Sequence, residues 1–337
     1  MDASNPKPDA PRDGGYLGFA HAFYDTLALT PGSAACCVQR NDLELPDLVA
    51  PPEMVERTFS CGTTVHPAEL TDAPTVLYVG VGGGLEALQF AYFSRRPNAV
   101  IAVDPVARMR DVATANLAEA ARLNDWFNES FVRVLDGDAF ALPLPDASVD
   151  LVAQNCLFNL FEPADLRRAL GEAARVLRPG GRLMMSDPIA TRDIPEHLRR
   201  DDRLRAMCLS GALRYEEYTA AVAAAGFGRI EVRSRKPYRV LDSASYGLDS
   251  DLALDALDTV SVKTAAMDGC EIYSGRRAIY TGPQAQLCLE GLTLHRHRPA
   301  AISDRMAERL EQQLTGAVLL TPPTWCHAPN SNAQNIR

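Results

Sequence analysis

A short apolar segment that runs into a glycine-rich turn most strongly constrains how this chain can fold. Residues 75–79 form an apolar, partly β-branched run, which favours a buried strand. Gly80, Gly82 and Gly84 follow, and glycines permit a tight turn and a close approach of the backbone to a ligand. Residues 85–93 are predicted to form the next helix. A strand, turn and helix in this order predict an open α/β sheet that binds a ligand at its strand ends.

Predicted strands and helices continue to alternate up to about residue 235. The further elements are strands over 100–103, 149–154 and 183–186 and a helix over 163–177. We expect Gly180 and Gly181 to end that helix. Alternation of this kind predicts an α/β fold with a doubly wound, mostly parallel sheet.

The predicted organisation has a central cofactor-binding domain and flanking parts. The predicted ranges are a disordered tail over 1–15, an N-terminal helical cap over 16–70, a cofactor-binding domain over 71–235, a smaller C-terminal mixed domain over 236–329 and a disordered tail over 330–337. The cap carries Cys36, Cys37 and Cys61.

Composition and charge narrow the class of partner. The formal net charge is −9 and no basic block offsets it, which argues against a nucleic-acid partner. No apolar run is long enough to span a membrane, and the first fifteen residues are too polar for a signal peptide, so we expect no membrane partner. Eight cysteines in 337 residues are too few for a disulfide scaffold. We therefore expect a cytoplasmic protein with unpaired thiols.

An acidic residue closes the second predicted strand. Asp104 lies 20 residues after Gly84, where a carboxylate can accept hydrogen bonds from ribose hydroxyls. On spacing alone, both a nicotinamide dinucleotide and S-adenosylmethionine (SAM) fit this pattern.

Two later segments favour SAM. They are residues 137–139, which include Asp138 and Ala139, and the Pro-Gly-Gly turn at 179–181 before the strand that ends at Asp187. Their order resembles that of class I SAM-dependent methyltransferases, which have a Rossmann-like fold. The resemblance implies that SAM is the cofactor and that the Asp138–Ala139 segment frames its adenine.

One position departs from the class I pattern. Many such enzymes carry an acidic residue two positions before the first loop glycine, and this chain has Tyr78 there. The resemblance therefore assigns no partner to the amino group of the methionine moiety.

Two residues follow the predicted strand over 149–154, at the ligand-binding edge of the sheet. Asn155 and Cys156 lie directly after it, and the carboxyl ends of parallel strands are where ligands bind. We expect Asn155 to contact the cofactor. Cys208 lies 52 residues after Cys156. A single buried cysteine is usually a small apolar residue, so position alone assigns no role to either thiol.

The residues around the cysteines resemble the arsenite methyltransferase family. The matching segments are residues 35–38, 59–65, 154–160, 186–188 and 207–213. Residues 77–84 and 89–95 resemble the branch of that family associated with arsenosugar biosynthesis. The resemblance extends from about residue 20 to 282, which is most of the chain.

The resemblance implies a role for each cysteine in the matched segments. Cys156 and Cys208 match the pair that holds As(III) closest to the methyl donor, and Cys61 matches the third thiolate. Cys36 or Cys37 matches a mobile cysteine that can pair with Cys61 after turnover. Electrons for the next cycle are then expected from thioredoxin or glutathione.

This pattern predicts SAM-dependent methylation of arsenite or of its thiol complexes. Trivalent arsenic is soft and prefers thiolates, and its lone pair can attack the SAM methyl group in line. The biological role would be detoxification or a first step towards arsenosugars. The alternatives are S-methylation of a small thiol or selenol, transfer of another SAM-derived group, and an arsenite-binding protein without turnover.

The remaining cysteines receive no role from the sequence. Cys270, Cys288 and Cys326 lie in the less regular carboxyl-terminal part and show no metal-ligand spacing.

Overall fold

The computed structural model of the protein describes residues 15–30, 43–264, 269–313 and 316–323. The strands of its central sheet are β1 (Val76–Val79), β2 (Val100–Asp104), β3 (Val132–Asp136), β4 (Val149–Asn155), β5 (Leu177–Ala190), β6 (Phe227–Leu241), β7 (Leu252–Lys263) and β8 (Glu271–Tyr273). Their order across the sheet is β3-β2-β1-β4-β5-β7-β6-β8.

The α-helices of the described residues flank this sheet or lie at its ends. They are α1 (Gly15–Leu29), α2 (Pro52–Glu56), α3 (Leu85–Ser94), α4 (Ala107–Leu123), α5 (Pro163–Val176), α6 (Glu196–Arg199), α7 (Asp202–Ala206), α8 (Tyr215–Ala224), α9 (Ser243–Tyr246) and α10 (Asp304–Gln313). None of these helices is long and apolar enough to cross a membrane.

The sheet is parallel from β3 to β5, and β7 is antiparallel to both of its neighbours. In the register of β1, Val79 pairs with Val103 on one side and Gln154 on the other. The carboxyl ends of β1, β2 and β4 therefore meet at one edge, next to the point where the strand order reverses. The predicted α/β fold with a mostly parallel, doubly wound sheet is confirmed.

Alternation along β1 builds a core on each face of the sheet. Leu77 and Val79 pack into one apolar cluster, and Val76 and Tyr78 pack into the other. Successive side chains of a strand point to opposite faces, so a strand covered by helices on both sides is apolar throughout. This explains the continuous apolar run that follows Thr75.

One predicted boundary was wrong. We expected Gly180 and Gly181 to end the helix over 163–177 and a strand to begin at residue 183. The helix ends at Val176 and β5 begins directly at Leu177, so both glycines belong to the strand. A register irregularity between β4 and β5 accommodates this start, and Gly180 adopts a positive φ of 76°. The glycines therefore shape the strand entry instead of stopping the helix.

The amino-terminal part covers the edge of the sheet where the strands end. Helix α1 lies at the start of the predicted cap, and its Phe23 and Leu27 pack with Ala206 of α7. Cys36 and Cys37, which we predicted to take part in the redox cycle, lie outside the described residues.

The carboxyl-terminal part combines strands of the central sheet with two smaller sheets. The expected domain boundary after residue 235 falls within β6, and the division of the chain there stays a prediction. The further strands are β9 (Arg277–Tyr280), β10 (Gln286–Leu289), β11 (Leu292–His295), β12 (Pro299–Ala301) and β13 (Val318–Leu320). Strands β10 and β11 form one small antiparallel sheet, and β12, β9 and β13 form another. Together with α10 they enclose an apolar cluster of their own.

Candidate active site

A cleft lies over the joined ends of β1, β2 and β4. It encloses about 1000 Å³, part of which is open to solvent. The predicted site residues that line it are Gly80, Gly82, Asp104, Asp138, Ala139, Asn155 and Cys156. Leu17 and Tyr24 of α1 and Phe59 also line it. The structure therefore gathers most of the predicted cofactor residues around one cavity.

The glycine turn has the backbone conformation that only glycine adopts readily. Gly80, Gly82 and Gly84 have φ values of 84°, 51° and 92°, in the left-handed region. Gly84 is the amino-terminal cap of α3, where it sets the entry into the helix without lining the cleft. The side-chain amide of Asn116 on α4 donates a hydrogen bond of 2.9 Å to the Gly83 carbonyl and so holds the turn in place.

Asp104 is held rigidly by the backbone on either side of it. One carboxylate oxygen accepts the N–H of Val81 and the other accepts the N–H of Val106, each at 2.9 Å. Burial raises the pKa of Asp104 to about 6, because desolvation disfavours the charged form more than these hydrogen bonds favour it. Each oxygen keeps a further lone pair that can accept a hydroxyl.

The cleft suits a nucleoside with a cationic tail. Its apolar wall includes Val106, Met109 and Phe140, which can enclose a flat base, and Asp104 can accept ribose hydroxyls. Acidic groups in the same wall favour positive charge. The residues present thus fit SAM, with Asp138 and Ala139 at the predicted adenine segment.

Cys156 and Cys208 share an uncommon backbone conformation and contact each other. Their φ values are 55° and 57°, a region that a residue with a side chain enters at a cost of about 1–3 kcal/mol. The Cys208 thiol donates a hydrogen bond of 2.7 Å to the Cys156 carbonyl. Tyr24, which lines the cleft, lies with its hydroxyl 3.7 Å from the Cys208 sulfur. The pair therefore lies directly beside the cofactor cleft.

Cys61 is buried next to the side chain of Asn155. The side-chain oxygen Oδ1 of Asn155 accepts the backbone N–H of Cys61 at 3.3 Å, and its side-chain nitrogen Nδ2 donates to the Gly62 carbonyl at 3.1 Å. The Cys61 sulfur lies 3.4 Å from the Ser186 hydroxyl. Asn155, which we expected at the cofactor, therefore also positions a predicted arsenic ligand.

A buried carboxyl group on β7 supports the same segment. The Ser186 hydroxyl donates a hydrogen bond of 2.6 Å to Asp258. Desolvation raises the pKa of Asp258 to about 6, and hydrogen bonds from Ser186 and the Thr63 backbone oppose that rise. Residues 61–63 are therefore held against the paired residues Ser186 of β5 and Asp258 of β7.

A second buried carboxyl group lies close to Cys208. Asp187 accepts hydrogen bonds from the Gln154 amide and, at 2.9 Å, from the Tyr218 hydroxyl. Desolvation raises the pKa of Asp187 to about 8 despite these hydrogen bonds, so the group is largely protonated at neutral pH.

The three thiols predicted to hold arsenic do not form a ligand set in the part of the chain that the structure describes. Cys61, Cys156 and Cys208 belong to one apolar cluster, and only Cys156 among them lines the cleft. Across the described ranges, no group of three or more histidine, cysteine, aspartate or glutamate side chains is arranged to hold a metal ion. Cys270 is half-buried, Cys288 is exposed, and Cys326 lies outside the described residues.

The residues that hold Cys61 and Asn155 in place could hardly be recognised from the sequence. Glu86 and Asp258 each interrupt an apolar run, and a pattern of that kind suggests a solvent-facing position. Ser186 and Asp187 lay in a segment matched to the family, which was the one available signal.

Comparisons with known proteins agree with this geometry. A family model described as a methyltransferase domain matches residues 77–185. The arsenite methyltransferase of Aquipseudomonas alcaligenes is 32% identical over 260 residues, which cover 74% of this chain and 72% of that relative. The arsenite methyltransferase of Halobacterium salinarum is 29% identical over 209 residues, 60% of this chain and 51% of the relative.

A more distant relative and a solved structure extend the comparison. The human arsenite methyltransferase is 29% identical over 178 residues, so the chain spans about half the length of the human and Halobacterium proteins. The crystal structure of an arsenic (III) S-adenosylmethionine methyltransferase from Chlamydomonas reinhardtii has a TM-score of 0.58 and 24% identity, and covers 84% of this chain and 96% of that one. At this identity the likeness shows the fold, and the predicted class I architecture is confirmed.

Proposed function

This chain belongs to the arsenite methyltransferase family, and from that premise we propose that it methylates trivalent arsenic. It is a SAM-dependent methyltransferase with the class I fold. The proposed substrate is arsenite or a complex of arsenite with a small thiol. The products would be methylated arsenicals, in a detoxifying role or on the way to arsenosugars.

The observation that carries this proposal is the placement of Cys156 and Cys208. Both cysteines have a left-handed backbone, and the thiol of Cys208 is held against the carbonyl of Cys156 at the wall of the cofactor cleft. Strained conformations persist where the surrounding structure enforces them, and they concentrate at functional sites. Such a pair of buried thiols suits a soft, thiophilic atom.

Arsenic binding would exchange oxygen ligands for sulfur. Arsenite has three hydroxyl groups, and each thiol that bonds to arsenic releases one water molecule, so no change of oxidation state occurs at this stage. Cys208 would give up its hydrogen bond to the Cys156 carbonyl, and Cys61 would leave the Ser186 hydroxyl. We infer that the three sulfurs shift towards one another when arsenic enters.

In the methylation step, the protein would mainly hold the two reactants in line and would not need to transfer a proton. Bound SAM supplies an electrophilic methyl group on a cationic sulfonium. Arsenic with three sulfur ligands keeps a lone pair and carries no proton, so no protein base is required. Holding the reactants in line can contribute about 7–11 kcal/mol towards the barrier.

The direct test is incubation of the full chain with SAM, arsenite and glutathione, followed by chromatography with elemental detection of arsenic. We expect methylarsenic from the wild type and none from Cys156→Ser or Cys208→Ser. Cys288→Ser is the matched control, because Cys288 is exposed on β10 and should leave the activity unchanged. A wild-type protein that binds SAM and forms S-methylglutathione without methylarsenic would overturn the proposal.

The redox part of the cycle is a separate proposal. Methylation formally oxidises arsenic by two electrons, and formation of one disulfide returns two. We propose that Cys61 pairs with Cys36 or Cys37 and that glutathione or thioredoxin reduces the bond. Alkylation of free thiols after a single turnover should show two fewer of them than before. An unchanged thiol count would contradict this pairing.

A further inference from the structure

A buried carboxyl group lines the cofactor cleft and has no part in the reaction proposed above. Glu86 lies in the first turn of α3 and is 2% exposed. Its carboxylate accepts the backbone N–H of Thr64 at 2.9 Å and the Thr64 hydroxyl at 2.7 Å. The Thr63 hydroxyl and the Asn155 amide donate to it at 3.2 Å each. The group is thus fixed in one position beside the cavity.

The hydroxyl of Tyr78 donates a further hydrogen bond to Glu86. Tyr78 is the residue on β1 that stands two positions before Gly80, where many class I methyltransferases carry an acid. Its ring is buried and packs against Phe90 of α3, with ring centroids 6.0 Å apart. The carboxyl group that β1 lacks is therefore present one hydrogen bond away, on the neighbouring helix.

The electrostatic setting of Glu86 favours a cationic ligand. Desolvation is the largest influence on its pKa and raises it, because a buried negative charge loses its hydration. Asp104 and Asp138 line the same cleft, so the wall carries several acidic groups. A positive group in the cavity would offset the loss of hydration of Glu86. Since its present donors already fill the acceptor sites of the carboxylate, a primary ammonium would replace one of the two donors at 3.2 Å and form a charge-assisted hydrogen bond in its place.

We propose that the Glu86 carboxylate, supported by the Tyr78 hydroxyl, binds the primary ammonium group of the methionine moiety of SAM. The proposal rests on the SAM dependence of the family and not on arsenic as the substrate. It gives the ligand two anchors on separate elements, with Asp104 for the ribose and Glu86 for the amino acid. A purely structural role is the competing explanation, because Glu86 also ties down residues 63–64.

A pair of ligands separates the two explanations. S-adenosylhomocysteine carries the amino-acid tail with its ammonium, and 5′-methylthioadenosine has the same nucleoside without it. Calorimetric titration of the full wild-type chain should give much tighter binding of S-adenosylhomocysteine. In Glu86→Gln we expect its affinity to fall about ten- to hundredfold, with the affinity for 5′-methylthioadenosine within about twofold of the wild type.

Further variants test whether Glu86 only holds residues 63–64 in place. Thr64→Val removes a hydroxyl donor to Glu86 and keeps the charge, so the ratio of the two affinities should stay that of the wild type. Tyr78→Phe keeps the buried ring and should remain folded. Like Glu86→Gln, it should lower the ratio of the affinity for S-adenosylhomocysteine to the affinity for 5′-methylthioadenosine. Asp104→Asn should weaken both ligands together.

Two results would overturn the proposal. In one, Glu86→Gln lowers the affinities for both ligands by the same factor or leaves both unchanged, and Tyr78→Phe keeps the wild-type ratio of the two affinities. The other is a Thr64→Val protein that changes the ratio as much as Glu86→Gln does. Neither ligand contains arsenic, so failure here is distinct from a wild-type protein that forms no methylarsenic.

Discussion

Gly62 shows how closely the Cys61 segment approaches β7. A Cβ atom at this position would lie 2.1 Å from a carboxylate oxygen of Asp258 and 2.6 Å from the Ser186 hydroxyl. Gly62→Ala must therefore displace this hydrogen-bonded pair or the segment itself. We expect a loss of about 1–3 kcal/mol in the free energy of unfolding, measured in urea, together with reduced methylation activity.

Gly171 provides the matched control for that substitution. It lies on the exposed side of α5, and an added Cβ atom would meet nothing within 4 Å. Gly171→Ala should stabilise the protein by about 0.5–1 kcal/mol, since alanine is the better helix former. Equal effects of the two substitutions would contradict the close approach inferred at Gly62.

Asp104 makes the affinity for the nucleoside depend on pH. Its pKa of about 6 is raised by burial, so the carboxyl group takes up a proton as the pH falls through 6. The charged form is the better acceptor for ribose hydroxyls, so binding should weaken in the same interval. We expect about tenfold weaker binding of 5′-methylthioadenosine at pH 5 than at pH 7.5, measured by calorimetry. Asp104→Asn should bind weakly with no such pH dependence, and a wild-type affinity that stays flat would argue against this acceptor.

At the scale of single elements, α1 is the part that closes the cleft. Phe23 is buried against α7, and Leu17 and Tyr24 of the same helix line the cavity. Phe23→Ala removes a contact of about 3–5 kcal/mol, which is enough to detach a docked helix. We expect the amide hydrogens of α1 to lose protection from exchange, while those of β1 and β4 keep it. Binding of S-adenosylhomocysteine should weaken in parallel.

Leu29, at the end of the same helix, is the control for this prediction. Its side chain is 61% exposed, so Leu29→Ala should change neither the exchange of α1 nor ligand binding. If Phe23→Ala instead unfolds β1 and β4 together with α1, the helix is an integral part of the core and not a docked cover.

At the scale of the whole molecule, the small carboxyl-terminal sheets have a core separate from the central sheet. Leu310 of α10 is buried in it with Tyr280 and Ile302. Leu310→Ala should cost about 2–5 kcal/mol and raise hydrogen exchange in β9 to β13 before it does so in the central sheet. Leu319→Ala is the control, because that side chain is 60% exposed. Simultaneous loss of protection in both parts would show one cooperative unit.

The position of the cleft could be predicted from the sequence because many of its residues directly follow a predicted strand. The glycine turn, Asp104 and Asn155 each follow an apolar run directly, and parallel strands bring such positions together. The mostly parallel α/β sheet followed from the alternation of strands and helices, and the class I fold followed from the resemblance carried by residues 137–139 and 179–181. The cofactor could be predicted only when family resemblance supplemented the spacing, which also allowed a dinucleotide.

The residues that hold Cys61 and Asn155 in place could not be predicted, because they contact each other from distant positions in the sequence. Ser186 and Asp258 are 72 residues apart and meet because β7 inserts antiparallel beside β5. The left-handed backbone of Cys156 and Cys208 likewise has no sequence signature, because cysteine does not favour it. The association with arsenosugar biosynthesis and the cytoplasmic location stay predictions.

The side chain of Asn155 contacts both Glu86 and the Cys61 segment. A ligand that moves one end of this amide therefore acts on the other end as well. Thermodynamic linkage makes such an effect reciprocal: the factor by which one substrate changes the affinity for the second equals the factor in the opposite direction. The strength of the coupling between the two substrates can thus depend on a single amide, and a change at Asn155 would weaken that coupling without touching either reacting atom.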